Sequence, residues 1–246
     1  MKNFLKFIYF KFFFRLNKQI SKFIPIFQEK NSASFNKFFK KNKYLNSSLL
    51  TFLKRPKIFI FNHDFDSKNI INNIYNYENL FKINEFTYDG HKEIYQSEHN
   101  LNEKFFFMEI SEKIEKFINY NITKPLNIKK INLIKMWFVI TKNSGIMNKH
   151  CHLNSHLSGV FYLKTDNQNP ESGLKIFTPF EEIDVYRYNI NSRKIEKSIF
   201  RGNHYLFVPK NNDLVVFDSY LEHSVNNEGS KTNDRISLPF DLFFKT

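Results

Sequence analysis

Three histidines are the residues whose types and spacing are best suited to chemistry. His150 and His152 are separated by one residue in "NKHCH", and His223 follows the apolar run "DLVVFD" after a short turn. In an extended segment, residues i and i+2 point to the same side, so both imidazoles of the pair can reach one ion. Three protein ligands leave coordination positions open for a substrate, as a catalytic metal site requires. The spacing therefore indicates a metal site for catalysis.

A second group of candidates lies near the C-terminus, in "RISLPF". Arg235 and Ser237 share one side of an apolar segment that has the alternation of a strand. A buried guanidinium needs an anionic partner, and its planar fork matches a carboxylate. We therefore expect Arg235 to bind a carboxylate.

These motifs occur in an order that resembles a known family. The blocks "HCHLNSHLSGVFYLK", "YLFVPKNNDLVVFDSYLEHSV" and "RISLPFD" are similar to those of the 2-oxoglutarate/Fe(II)-dependent oxygenases, over roughly residues 57–244. The resemblance implies a double-stranded β-helix (jelly-roll) core, with Fe(II) as cofactor and 2-oxoglutarate as co-substrate. It implies the following site residues: His150, His152 and His223 at the iron, and Arg235, Ser237 and Tyr162 at the distal carboxylate of 2-oxoglutarate.

One position departs from the family pattern. The usual triad is two histidines and one carboxylate, and His152 stands where the carboxylate is expected. Three neutral imidazoles would leave the iron with its full +2 charge, to be balanced by 2-oxoglutarate. A role for His152 beside the metal or toward the substrate stays open, and His156 is a spare ligand candidate.

The activity implied by the resemblance is hydroxylation of a prime substrate that the sequence does not identify. O2 and 2-oxoglutarate would be consumed, and succinate and CO2 released. Two alternatives remain. A cupin-type metalloprotein would fit the H-x-H pair, but "LNSHLSG" lacks the glutamate that cupins add, and Arg235 and Ser237 favour the oxygenase. A non-enzymatic basic module that binds membrane or nucleic acid is the other.

The elements that must position these residues are mostly strands. Short apolar runs separated by Gly, Pro, Asn and Asp predict a mainly β fold with flanking helices (α+β). The runs are 57–61, 129–140, 157–164, 174–180, 183–190, 203–209, 213–218 and 235–244. Helical spacing predicts helices over 66–81 and 105–121, the second closed by Pro125, with a loop between them.

The chain divides into four predicted parts. We expect a basic aromatic helical segment at 1–30, a linker at 31–56, a mixed helical lead-in at 57–130 and the oxygenase core at 131–246. The net charge of +13 favours anionic partners. Residues 1–30 fit either an anionic membrane surface or packing on the main domain, whereas no motif supports nucleic-acid binding.

The remaining reactive side chains carry weaker signals. A single cysteine excludes an intramolecular disulfide and fits a reducing, cytoplasmic location, peripheral to a membrane if residues 1–30 bind one. Cys151 should point away from the histidine pair into the core. His63, His91 and His99 read as surface residues, although Gln96 and His99 could belong to a substrate lid.

Overall fold

A computed structural model describes residues 55–77, 82–83, 94–142, 145–165, 173–226 and 234–245. The strands are β1 (Lys57–Asn62), β2 (Lys82–Ile83), β3 (Ile94–Gln96), β4 (Lys130–Met136), β5 (Val139–Thr141), β6 (Ile146–His150), β7 (Leu157–Lys164), β8 (Gly173–Phe177), β9 (Glu182–Asn189), β10 (Lys194–Arg201), β11 (His204–Phe207), β12 (Asp213–Asp218), β13 (His223–Asn226) and β14 (Arg235–Lys245). The helices are α1 (Ser67–Asn76) and α2 (Phe105–Leu126), and a 3-10 turn spans Leu101–Glu103. The expected mainly β class with flanking helices is confirmed.

The strands form two sheets. The larger has the order β10-β9-β1-β12-β7-β14-β5-β3-β2, with β4 also paired to β14, and the smaller has the order β11-β8-β13-β6. Within the larger sheet β12, β7, β14 and β5 are antiparallel neighbours, whereas β1 pairs in parallel with β9. From β5 to β9 and from β10 to β14 consecutive strands alternate between the sheets, so the candidate site residues of β6, β13 and β14 can face one interior.

Alternation along β12 shows how the larger sheet separates two apolar layers. Val215 and Phe217 belong to the layer that also contains Leu174 and Ile176 of β8 in the smaller sheet. Leu214 and Val216 point the other way, into the layer that contains the apolar stripe of α2. That stripe repeats every four residues, as one face of a helix requires, and consists of Ile110, Ile114, Ile118 and Ile122.

Several predicted boundaries change for local reasons. Helix α1 ends at Asn76, and the Asp66 side chain caps it by accepting the Asn69 N–H. Helix α2 includes Pro125 and ends where Asn127 adopts a left-handed conformation, which stops the helix instead of the proline. The predicted strand 129–140 is broken into β4 and β5. The segment expected to be a loop contains β3, and β10 was not predicted because most of its residues are exposed.

The predicted segments 1–30 and 31–56 lie outside the described residues, apart from Arg55 and Pro56. The segment 57–130 contributes β1, which pairs with both β9 and β12. The four-part division stays a prediction. Among the described helices, neither is long and apolar enough to cross a membrane.

Candidate metal centre

The pairing of two strands of the smaller sheet brings the first two histidines together. His150 ends β6 and His223 begins β13, and the antiparallel register sets them directly opposite each other, with ring centres 4.3 Å apart. His152 lies two residues beyond the end of β6, with its ring centre 5.4 Å from that of His150 and 5.2 Å from that of His223. One ring nitrogen from each histidine lies within 4.8 Å of the other two, a spacing that suits a shared metal ion.

Hydrogen bonds to the main chain fix the ring orientation of two of these histidines. Nδ1 of His150 lies 2.8 Å from the carbonyl oxygen of Asn148, and Nδ1 of His223 lies 3.0 Å from that of Leu221. A carbonyl oxygen can only accept, so each Nδ1 carries the hydrogen and each Nε2 keeps a free lone pair. These are the tautomers that a metal ligand needs.

Burial keeps the same two rings neutral. It lowers the pKa of His150, and it lowers the pKa of His223 well below its ordinary value. The neighbouring histidine charges act in the same direction, while the main-chain hydrogen bonds oppose the shift. A metal ion binds the neutral imidazole, so the site does not have to release protons from these rings at neutral pH.

The third histidine is oriented by a carboxylate that the sequence analysis did not identify. Nδ1 of His152 lies 2.7 Å from Oδ1 of Asp241 on β14, and the same oxygen accepts hydrogen bonds from Ser158 and Ser155. Burial alone would raise the pKa of Asp241, but the bond from His152, then its charge, Ser158 and Lys135, lower it. The sequence does contain a pattern that could have identified Asp241. It lies six residues after Arg235, so both side chains face the same side of the strand.

Arg235 begins β14, and its side chain is buried against Tyr162 of β7. The guanidinium carbon lies 4.9 Å from the centre of the tyrosine ring. Among the described residues neither Nη1 of Arg235 nor the Tyr162 hydroxyl has a hydrogen-bond partner. Burial raises the pKa of Tyr162, and the Arg235 charge opposes the rise. Ser237 is the cross-strand partner of Tyr162, so the three polar groups converge.

All six residues expected at the site line one cavity of about 490 Å³, together with Asp241. The donor set fits a divalent transition metal, because imidazole nitrogens are ligands that iron accepts. Two buried polar atoms without partners further along the cavity fit an anionic co-substrate.

The outer part of the cavity is lined by residues from the region predicted as a loop. Gln96 and His99 both line it and are hydrogen-bonded to each other through their side chains. The exposed His99 ring lies 4.6 Å from that of Trp137, which in turn stacks on His152 at 5.6 Å. His91 lies outside the described residues.

Two expectations about neighbouring residues were wrong. Cys151 is not a core residue, because β6 ends at His150 and the cysteine, half-buried, lines the cavity. His156 is not a spare ligand. Its ring stacks on Phe244 with centres 4.5 Å apart, and its Nδ1 accepts the Phe244 N–H at 3.1 Å, away from the three-histidine cluster.

Comparisons with known proteins agree with this geometry. A sequence model of the family described as "Putative 2OG-Fe(II) oxygenase" matches residues 135–241, which include the three histidines and Arg235. No curated protein matches the chain.

Two solved structures share the fold. One is a prolyl hydroxylase from Trichoplax adhaerens in complex with a hypoxia inducible factor peptide fragment (12% identity, 89% of this chain and 96% of that chain covered, TM-score 0.50). The other is HygX from Streptomyces hygroscopicus with nickel, 2-oxoglutarate and hygromycin B bound (11% identity, 82% and 88% covered, TM-score 0.50).

These similarities confirm the double-stranded β-helix core and the resemblance carried by the three sequence blocks. The family match covers the strands that carry the histidine cluster and the buried arginine. The chain therefore has the double-stranded β-helix fold, and the part of it that carries the histidine cluster is similar to the family described as "Putative 2OG-Fe(II) oxygenase".

Proposed function

We propose that this protein is a 2-oxoglutarate/Fe(II)-dependent dioxygenase that hydroxylates a prime substrate and releases succinate and CO2. The observation that carries the proposal is a single cavity with three imidazoles gathered at one point and a buried guanidinium on its wall, whose Nη1 has no partner among the described residues. The imidazoles suit a divalent metal, and the guanidinium suits a carboxylate. 2-Oxoglutarate is a ligand that can use both.

The metal would be held by His150, His152 and His223. Three protein ligands are enough to retain an ion while other coordination positions stay open to small molecules. When bound, Fe(II) supplies the electron-transfer chemistry between O2 and 2-oxoglutarate that amino-acid side chains cannot provide. The histidines contribute by keeping their Nε2 lone pairs aimed at one point before the metal arrives.

The distal carboxylate of 2-oxoglutarate would bind Arg235. Its Nη1 is buried without a partner among the described residues, so a carboxylate there would replace an unsatisfied donor with a charge-assisted hydrogen bond. The Tyr162 hydroxyl is also buried without a hydrogen-bond partner among the described residues, so it could bond to the same carboxylate. The Ser237 hydroxyl could donate a third hydrogen bond. Atoms balance as one oxygen of O2 enters the hydroxylated substrate and the other enters succinate.

The prime substrate would enter past the outer part of the cavity, near Gln96, His99 and Trp137. The two similar structures contain different bound molecules, a peptide fragment in one and hygromycin B in the other. The shared fold therefore sets the co-substrate chemistry, and residues outside the metal centre select the prime substrate. No observation favours the cupin or the non-enzymatic alternative, and binding of residues 1–30 to an anionic membrane stays a prediction.

The test begins with metal-free protein under anaerobic conditions. Addition of Fe(II) and then 2-oxoglutarate should give the weak visible charge-transfer band of a chelated 2-oxo acid. Exposure to O2 should then yield succinate and CO2 in equal amounts, slowly, with ascorbate present as the two-electron reductant in place of the prime substrate. His223→Ala serves as the matched control and should give neither signal. A wild-type protein that binds Fe(II) yet neither perturbs 2-oxoglutarate nor forms succinate would overturn the proposal.

A further inference from the structure

A buried carboxylate lies directly behind the third histidine of the metal centre. Oδ1 of Asp241 accepts three hydrogen bonds: from Nδ1 of His152 at 2.7 Å, from Oγ of Ser158 at 2.9 Å and from Oγ of Ser155 at 3.3 Å. These three donors, all within residues 152–158, fix this oxygen in space. The carboxylate is 7% exposed, so its charge is poorly screened by water.

His152 differs from the other two histidines in what orients it. His150 and His223 bond to carbonyl oxygens two residues away, so local backbone geometry sets their rings. His152 lies beyond the end of β6, and its ring is set by a side chain 89 positions away in sequence. The Asp241 carboxylate thus orients the His152 ring, as main-chain carbonyl groups orient the rings of His150 and His223.

Asp241 lies on the same strand, β14, as Arg235 and Ser237, which are proposed to bind the co-substrate. Arg235, Ser237 and Asp241 all line the cavity, because every second residue of a strand faces one side. Six residues of extended chain span roughly 20 Å, so the arginine and the aspartate mark the two ends of one cavity wall. A single strand therefore carries a cation for the co-substrate and an anion for the metal centre. Lys135 is the cross-strand partner of Asp241, and its positive charge also acts on this carboxylate.

We infer that Asp241 is a positioning residue that stands in for the carboxylate missing from the metal ligands. The inference rests on the proposed role of the three histidines as the metal site. Asp241 accepts the Nδ1–H of His152, which leaves Nε2 as the donor to the metal. It also returns one negative charge to the centre. A divalent ion, three neutral imidazoles and Asp241 sum to +1, as do a divalent ion, two imidazoles and a directly bound carboxylate.

The test is a double-mutant cycle read by metal binding, without turnover. The probes are Fe(II) under anaerobic conditions and Co(II), whose visible spectrum reports its ligands. Asp241→Asn should weaken binding of both about 10- to 100-fold, the range typical for loss of a partner that orients a metal-bound histidine. His152→Asp restores a direct carboxylate ligand. In that background Asp241→Asn should cost nothing or strengthen binding, since it relieves repulsion between two buried carboxylates.

A purely structural role for Asp241 predicts a different result. The loss of affinity would then be the same in both backgrounds, and equal losses would overturn the inference. Ser158→Ala is the matched control, because it removes a donor to Asp241 while leaving the bond to His152, and it should change affinity less than Asp241→Asn does. Thermal unfolding of the metal-free variants checks that each is folded.

A second measurement needs no variant. Nitrogen-15 NMR of wild-type metal-free protein at mildly alkaline pH should show His152 as the Nδ1–H tautomer, and dominance of the Nε2–H tautomer would overturn the inference even if Asp241→Asn fails to fold. The outcomes also separate this inference from the proposed function. A protein that shows the sign change in the cycle but forms no succinate supports the role of Asp241 and contradicts the dioxygenase proposal.

Discussion

The guanidinium of Arg235 lies 4.9 Å from the ring centre of Tyr162, and the two side chains are only 2% and 1% exposed. The ring steadies the cation by a cation–π contact but cannot satisfy its N–H groups. A buried cation with an unsatisfied donor carries a desolvation cost, which an anionic ligand would offset. The pair is therefore arranged to receive a carboxylate.

Replacement of this arginine should separate co-substrate binding from metal binding. Arg235→Ala should weaken 2-oxoglutarate binding by about 2–5 kcal/mol, or roughly one and a half to four decades, because it leaves the carboxylate buried and unpaired. Arg235→Lys should fall between, since one ammonium replaces a planar fork. Co-substrate titration of the Fe(II)-loaded protein measures both. Fe(II) affinity should stay near the wild-type value, and a folded Arg235→Ala protein with normal 2-oxoglutarate affinity would contradict the assignment.

Tyr162→Phe should have opposite effects on two properties. The hydroxyl has no hydrogen-bond partner among the described residues, so its removal should leave the free energy of unfolding of the ligand-free protein unchanged or slightly higher. If the hydroxyl bonds to the co-substrate, 2-oxoglutarate affinity should fall by about 1 kcal/mol, the scale of one neutral hydrogen bond. Ser237→Ala should show a co-substrate loss of about the same size. Denaturant unfolding and co-substrate titration test the pair, and a large loss of stability in Tyr162→Phe would show that the hydroxyl is structural.

Removal of a single histidine should abolish stoichiometric metal binding. His150→Ala and His223→Ala each leave two imidazoles, which hold Fe(II) poorly. His204 provides the control, because its ring contacts Phe177 and Asn203 and lies outside the cavity. Anaerobic titration should therefore show wild-type stoichiometry in His204→Ala. Full occupancy in either of the first two variants would remove that histidine from the ligand set.

The buried Asp218 should make the protein less stable as the pH rises. Burial raises its pKa to about 7, with Lys57 opposing and Asp184 adding to the shift. The folded state therefore holds a proton that the unfolded chain releases above about pH 4, so the contribution of Asp218 to stability is largest below that value. It should fall, by at most about 1.4 kcal/mol per pH unit, as the pH rises to 7.

Asp218→Asn removes this titration while keeping an oxygen that can accept the Lys57 main-chain N–H, now bonded at 2.8 Å. The free energy of unfolding should be measured from pH 4.5 to 8. We expect the values for wild type and Asp218→Asn to converge at pH 4.5, and the variant to be the more stable of the two at pH 8. Parallel curves would show that Asp218 is ionised throughout.

Gly159 on β7 should tolerate no side chain. A Cβ at this position would lie 2.3 Å from Cζ of Phe240 and 2.9 Å from the carbonyl oxygen of Val215. Gly159→Ala should lower the free energy of unfolding by about 1–3 kcal/mol, the range for overpacked cores. Chemical denaturation measures the change, and Gly159→Ala combined with Phe240→Leu should recover part of it.

Local patterns predicted the parts of the site that depend on neighbouring residues. The H-x-H pair and the shared face of Arg235 and Ser237 follow from the two-residue period of extended chain. The direct contact of His150 with His223 was foreseen only as an order of motifs, because register between distant strands is not encoded locally. The bond from His152 to Asp241 joins a loop to a strand far along the chain, and it escaped notice for the same reason.

The same distinction applies to the fold. Alternation and turn residues located β7 and β12 closely, since both are buried runs with clear ends. Strand β10 has mostly exposed residues and is held by its pairing with β9. Its sequence has no apolar pattern from which that pairing could be predicted. The parallel pairing of β1 with β9 likewise depends on sheet topology rather than on the sequence of either strand.

The central position of β14 in the larger sheet has a consequence for when the proposed metal centre is complete. This strand pairs with β7 on one side and with β5 and β4 on the other, so it joins the two halves of the sheet. It also carries Arg235 and Asp241, whereas the histidines come from earlier segments. Pairings between strands far apart in sequence form late, because the entropy of closing the intervening loop is lost before the new contacts stabilise the chain. If the three histidines hold a metal, we therefore expect loading to follow folding, because a chain that has not yet placed β14 lacks the groups that complete the centre.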